Sequence, residues 1–224
     1  MDEFAAIKGN KIKIEIKKRK PNALKGKTLL FVGSSYTVGH TSLGVAFPEY
    51  IALRNDCKCV KEAVSGTTLV EHLPDSYITR LKHLPLNFEF DLFLCQLSTN
   101  DAWHKQELGV IKDGDYDTST ICGAIQFIVE YSRNVLKCPI MFYTSPYYDN
   151  ECYQDMVKTL HTIARKMNFE IIDLYSDKKF NAIAKEDYNL YMVDPVHPTK
   201  AGYYYWITPP MERGILDFFK KKVT

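Results

Sequence analysis

Thr28-Leu29-Leu30-Phe31-Val32, followed at once by Gly33-Ser34-Ser35, decides the fold. A strand with one face in water alternates apolar and polar residues. A short run that is apolar throughout belongs to a strand buried on both faces, as parallel strands are. Comparable runs recur at 59–64 (less clean), 91–97 (DLFLCQL), 139–144 (PIMFYT) and 170–174 (EIIDL). Segments of helical period lie between them, near 43–54, 71–83, 118–136, 151–167 and 177–186. A last helical segment follows His197, interrupted at Pro209-Pro210. Strand and helix in alternation make βαβ units with right-handed crossovers. The expected fold is therefore one α/β domain over residues 27–224, three layers (α/β/α) around a mostly parallel central sheet of about five strands. In such sheets ligands bind beyond the carboxyl ends of the strands.

Composition narrows the function classes. At 224 residues the chain is long enough for a proper core. Hydrophobic residues make up 46% and charged residues 25%, which excludes disordered and collagen-like classes. A net charge of +2 argues against nucleic-acid binding by the chain as a whole. No apolar stretch approaches the roughly 18 residues needed to span a bilayer. The N-terminus has no apolar signal-peptide core, so a cytoplasmic location is expected. None of the six cysteines forms a CxxC pair and no histidine spacing suggests zinc, so no metal site is expected and the thiols read as reduced.

The basic charge is concentrated at the start. Residues 1–27 carry nine Lys/Arg against Asp2, Glu3 and Glu15, which leaves the remainder at −4. Within residues 1–26, Ile12, Ile14 and Ile16 alternate with charged residues. This period of two predicts a basic N-terminal β extension, an edge strand or hairpin arm whose lysines discourage further pairing. A tether for an anionic surface is the alternative.

The strand ends carry the chemistry. Gly33-Ser34-Ser35 follows the first run, Ser65-Gly66-Thr67-Thr68 the second, Ser98-Thr99-Asn100-Asp101 the third and Ser145-Pro146-Tyr147 the fourth. Near the C-terminus stands Asp194-Pro195-Val196-His197-Pro198. One sheet edge thus gathers a serine pair, a glycine amide, an asparagine amide and an Asp/His pair three residues apart. A serine hydroxyl needs an adjacent base to become a nucleophile, and the imidazole needs a carboxylate on its other nitrogen. An oxyanion needs donors fixed in advance, here the amides of Ser35 and Gly66 and the side chain of Asn100.

Together these blocks resemble the SGNH/GDSL hydrolase superfamily of esterases and lipases, from about Lys27 to the C-terminal helix. Gly33-Ser34-Ser35 is similar to the first block, Gly66 to the glycine of the second, Ser98-Thr99-Asn100-Asp101 to the Gly-x-Asn-Asp block, and Asp194 through His197 to the Asp-x-x-His block. Ser34 replaces the Asp of Gly-Asp-Ser, and Ser98 replaces the glycine before Asn-Asp. The resemblance implies a flavodoxin-like fold, catalysis by Ser35, His197 and Asp194 through an acyl-enzyme, and no metal or other cofactor. It implies a small-molecule or carbohydrate ester as substrate, O-acetyl groups among the candidates.

Plainer roles stand beside these. Ser35 is also placed to cap a helix, with Ser34 as the variant nucleophile. Asn100 fits an Asx turn, Gly66 a simple turn, Asp194 a helix cap, and His197 an ordinary surface position. Asp101 reads as a structural acceptor. Trp103 and His104 open a long polar stretch to Thr118 that suggests a lid or substrate wall, or an insertion. Tyr147 offers a ring face and a hydroxyl to a sugar-like substrate. Two other functions remain open: a flavodoxin-like FMN-binding module using residues 34–41, and a non-catalytic binding member of the fold. The flavin module gives no role to Asp194 and His197.

Overall fold

The computed structural model describes residues 3–85 and 87–221. A 3-10 turn (Glu3–Ala6) and the one-turn helix α1 (Lys8–Lys11) precede β1 (Thr28–Gly33). Next come α2 (Ser35–Val38), a 3-10 turn (His40–Ser42), α3 (Phe47–Asn55), β2 (Lys58–Ala63), α4 (Tyr77–Lys82), β3 (Leu92–Gln96) and α5 (Thr99–Trp103). The second half holds α6 (Ile121–Asn134), β4 (Ile140–Tyr143), α7 (Glu151–Met167), β5 (Glu170–Ile172), α8 (Lys178–Asn181) and α9 (Lys185–Tyr191). A π-helical stretch (Gly202–Ile207) then runs into α10 (Thr208–Lys221).

The five strands form one sheet in the order β2-β1-β3-β4-β5, and every pairing is parallel. The order in which strands are added reverses between β1 and β3, which opens a crevice at their carboxyl ends. Alternate residues of β1 enter two separate cores. Leu30 and Val32 join α4, α6 and α7 on one face. Leu29 and Phe31 join α3 and α10 on the other. That division explains why β1 carries no polar position after Thr28. Cys57, Cys59, Cys95, Cys122 and Cys152 form no disulfide among the described residues. Among the described residues no helix is long and apolar enough to cross a membrane.

The expected N-terminal β extension is not a strand. Residues 12–20 form neither strand nor helix and pair with no strand of the sheet. The period of two is real, since Ile14 and Ile16 pack on the α3/α10 core while Lys13, Lys17 and Lys18 are exposed. Its partner is a helical surface: the Lys17 amide donates to Tyr204 Oη, and Tyr204 Oη donates to the Glu15 carbonyl. The segment is a strap over the C-terminal helical face.

Two helix expectations also shift. Pro209 and Pro210 do not interrupt the last helix. The π turn just before them changes the backbone pairing, and Thr208 Oγ1 donates to the Tyr203 carbonyl at 2.7 Å. The helix expected over 71–83 begins only at Tyr77, where Ser76 caps it by accepting from the Thr79 amide. Residues 67–70 ahead of it are buried in a loop.

Candidate active site

Glycine ends β1 because the chain must pass close to other groups there. A Cβ on Gly33 would collide with Thr37 Oγ1 and Gln96 Oε1. Buried Gln96, the last residue of β3, accepts from the Ser34 amide at 2.9 Å and from Thr37 Oγ1 at 2.7 Å. These bonds hold the bend and turn Ser34 inward, where it is fully buried. Ser35, the first residue of α2, faces the crevice instead.

The residues 194–197 form a self-bonded turn. Asp194 Oδ1 accepts from the amides of Val196 and His197, both at 2.8 Å. The Val193 amide donates to the His197 carbonyl, and Met192 bridges Pro198. With the loop fixed, His197 Nδ1 lies 2.7 Å from Asp194 Oδ2, and His197 Nε2 lies 2.7 Å from Ser35 Oγ. Burial raises the Asp194 pKa. The His197 hydrogen bond and the two loop amides outweigh that and hold it below the ordinary carboxylate range. An ionised carboxylate only accepts, so His197 Nδ1 must carry the proton. In the neutral ring Nε2 then keeps a lone pair for the Ser35 hydroxyl. The order Asp194, His197, Ser35 therefore has one consistent proton arrangement. It also resolves the serine pair: Ser35 meets the imidazole and Ser34 does not.

The Asn100 block arrives from β3. Ser98 caps α5 by accepting from the Asp101 amide, which is the role open to a serine at the usual glycine position. Asn100 Nδ2 donates to the Thr67 carbonyl at 2.8 Å, which leaves its second N–H without a partner among the described residues. Gly66 precedes Thr67 in a turn with φ 81°, a left-handed conformation that favours glycine. Asp101 is fully buried and accepts from the amides of Leu69 (2.7 Å) and Val70 (3.1 Å). Burial pushes its pKa up against the opposing pull of Ser98 and those amides. Thus Asp101 joins α5 to the loop that carries Gly66. Arg80, which no sequence signal singled out, joins the same loop to β1. It donates to the Gly33 carbonyl at 2.9 Å and to Thr67 Oγ1 at 3.2 Å.

An Asp101→Asn variant should lose about 1–3 kcal/mol of stability, because its amide nitrogen must face one of two amide donors. The shift should be in the denaturation midpoint at unchanged slope. An unchanged midpoint would show that the two backbone bonds contribute nothing.

A cleft of about 560 Å³ opens beside His197 and Asn100. Trp103 lines it and is 78% exposed, an unusual position for so large an apolar side chain. His104 is not on the cleft: it is exposed and ends α5, its amide bonded to the Asn100 carbonyl. Tyr147 is not on the cleft either; Tyr148, Asp149 and Asn150 are. The polar stretch after Trp103 is pinned to α6, where Gln126 bonds both the amide and the carbonyl of Lys112. His40, to which the sequence assigned no partner, sets its ring 6.0 Å from that of His197 and 5.3 Å from Phe4. Among the described residues no group of three His, Cys, Asp or Glu side chains could hold a metal ion.

The model of the GDSL-like lipase/acylhydrolase family matches residues 31–205. No curated protein matches the chain significantly. Several solved structures share its fold. A protein from Lactobacillus plantarum superposes with a TM-score of 0.72 at 20% identity, covering 86% of this chain and 97% of that one. A proposed GDSL-like lipase from Bacteroides ovatus ATCC 8483 gives 0.62 at 16% identity, over 86% of this chain and 99% of that one. An acetylxylan esterase from Geobacillus stearothermophilus gives 0.60 at 17% identity, over 90% of this chain and 96% of that one. At these identities the likeness is one of fold.

Proposed function

The chain belongs to the GDSL-like lipase/acylhydrolase family, and on that premise we propose that it is a serine esterase of short-chain carboxylic esters, acting through an acyl-enzyme. The observation that carries this reading is the pair of 2.7 Å bonds linking Ser35, His197 and Asp194. In the first half-reaction Ser35 Oγ attacks the ester carbonyl while His197 Nε2 takes its proton. Asp194 holds the ring in place and stabilises the imidazolium. The amides of Ser35 and Gly66 and the Asn100 side chain stabilise the oxyanion. As the tetrahedral intermediate collapses, His197 returns the proton to the departing alcohol. Water, activated by the same imidazole, then releases the acid and restores Ser35.

Acetyl groups on carbohydrate are the preferred substrate. Exposed Trp103 offers a ring face to a sugar beside polar Asp149 and Asn150, and a structural neighbour is an acetylxylan esterase. A flavin-phosphate role for residues 34–41 would leave the Asp194–His197 pair without a task.

Two measurements test the proposal. A fluorophosphonate probe should label the protein at Ser35, and p-nitrophenyl acetate should be hydrolysed. No labelling and no turnover of any short ester would sink it. Asn100→Ala should lower kcat by about 10²–10³ with a much smaller change in KM, because the lost N–H matters when negative charge develops. A raised KM with kcat unchanged would instead mark Asn100 as a ground-state contact.

A further inference from the structure

We propose that the alcohol side of the substrate is an oligosaccharide, and that a remote subsite built on Tyr147 and Tyr175 binds its chain. This inference rests on the esterase reading and adds to it the length of the substrate.

The cleft is the first of three neighbouring depressions that share wall residues. A second, of about 330 Å³, shares Tyr148, Asp149 and Pro195 with the cleft. A third, of about 500 Å³, shares Tyr147 and Asn181 with the second. The three lie in a row from the Asp194–His197 loop toward α7 and α8, and together they form the groove proposed as the path of the sugar chain. An acetyl ester of a single sugar needs only its first part.

The far end is built in advance. Tyr147 is 51% exposed, and its ring lies 5.1 Å from that of Tyr175 at 40°. Its backbone cannot drift, because the Tyr147 amide donates to Asn181 Oδ1 at 2.9 Å. Asn181 is itself anchored by Nδ2 to the carbonyls of Leu174 (2.7 Å) and Asp177 (2.8 Å). On the other side Tyr175 Oη donates to the Tyr148 carbonyl at 3.1 Å. The exposed Tyr147 ring is thus held in place, backed by buried Tyr175, without help from a ligand, so little ordering remains to be done on binding.

The lining selects the occupant. A long acyl chain gains from an unbroken apolar wall. Here Asp149, Gln154, Ser176 and Lys178 interrupt the aromatic faces along the groove. A sugar chain has the matching character, with C–H faces that stack on rings and hydroxyls at the edges that bond to polar side chains.

The test compares partly acetylated xylose with partly acetylated xylotetraose, using p-nitrophenyl acetate as the reference ester. Wild-type kcat/KM should rise roughly tenfold from the single sugar to the tetramer, mostly through KM. Tyr147→Ala should lower the ratio of tetramer to reference activity roughly tenfold, the equivalent of one lost contact of ordinary strength. Binding gives an independent readout. A Ser35→Ala protein should bind unacetylated xylotetraose in calorimetry, and adding Tyr147→Ala should weaken that binding by a similar factor. Ser35-dependent hydrolysis of the reference ester with no length effect and no tetramer binding would overturn the subsite alone. A Tyr147→Ala loss confined to p-nitrophenyl octanoate would also overturn it, assigning the groove to an acyl chain. Absence of Ser35-dependent hydrolysis of every ester would remove the esterase reading and this inference with it.

Discussion

Ser35→Ala is expected to reduce kcat on p-nitrophenyl acetate by about 10⁵-fold or more while the folded state survives. Removing the hydroxyl deletes the hydrogen-bond partner of His197 Nε2 among the described residues, and an alanine at the start of α2 requires no repacking. His197→Ala should cost about as much, and the double variant little more, because the two residues act as one unit. Asp194→Asn should cost about 10⁴-fold by another route. Its amide would donate to Nδ1, move the ring proton to Nε2, and aim that proton at Ser35 Oγ. Ser34→Ala is the control, since Ser34 faces buried Gln96 and not the imidazole. Should Ser34→Ala abolish turnover and Ser35→Ala preserve it, the proposed mechanism fails. The measurement is kcat, with circular dichroism to establish folding.

Much of this site was legible in the sequence because its parts are local and sit where parallel strands stop. The apolar run of β1 implied a strand buried on both faces, and the residue after such a strand lies at the binding edge. Asp194 and His197 are three residues apart, so a single Asx-type turn brings carboxylate to ring whatever the rest of the chain does. The choice between Tyr147 and Tyr148 was not legible, because strand alternation ends at β4 and Pro146 resets the direction. The π turn before Pro209 had no sequence signal. The N-terminal period of two was read correctly as one buried and one exposed face, but a period does not name a partner. A sheet edge and a helical surface both accept Ile14 and Ile16. Arg80 and Gln96 were invisible for a related reason. Each serves groups from several chain segments, and such convergence exists only once the sheet is assembled.

Glu212→Ala is expected to be the most damaging single change to stability, about 3–5 kcal/mol. Glu212 is 1% exposed and accepts five hydrogen bonds: two from Arg54 at 3.0 and 3.1 Å, two from Arg19 at 2.8 and 3.1 Å, and one from Asn55 Nδ2 at 2.6 Å. Truncation leaves the buried Arg54 guanidinium with no counter-charge, and that unpaired cation is the main cost. Arg19 has a half-exposed side chain, so Arg19→Ala should lose no more than about 1 kcal/mol. For a domain of this size the Glu212→Ala loss corresponds to a fall of roughly 10 °C in Tm. The pH dependence has a definite sign. Burial raises the Glu212 pKa, but Arg54, Arg19 and Asn55 lower it further, so the folded value lies below the unfolded one. Its contribution is complete above the unfolded pKa and disappears as pH falls through the folded value. Wild-type Tm should therefore drop on acidification below the ordinary glutamate range, and Glu212→Gln should show a shallower drop. Because Arg19 ties the strap to α10 through this carboxylate, Glu212→Ala should also speed tryptic cleavage at Lys17, Lys18 and Arg19. A Glu212→Ala protein with wild-type Tm and wild-type trypsin resistance would mean that the strap is held without the Arg19–Glu212 pair, by Ile14, Ile16, Tyr204 and the bond from the Arg19 amide to the Arg54 carbonyl.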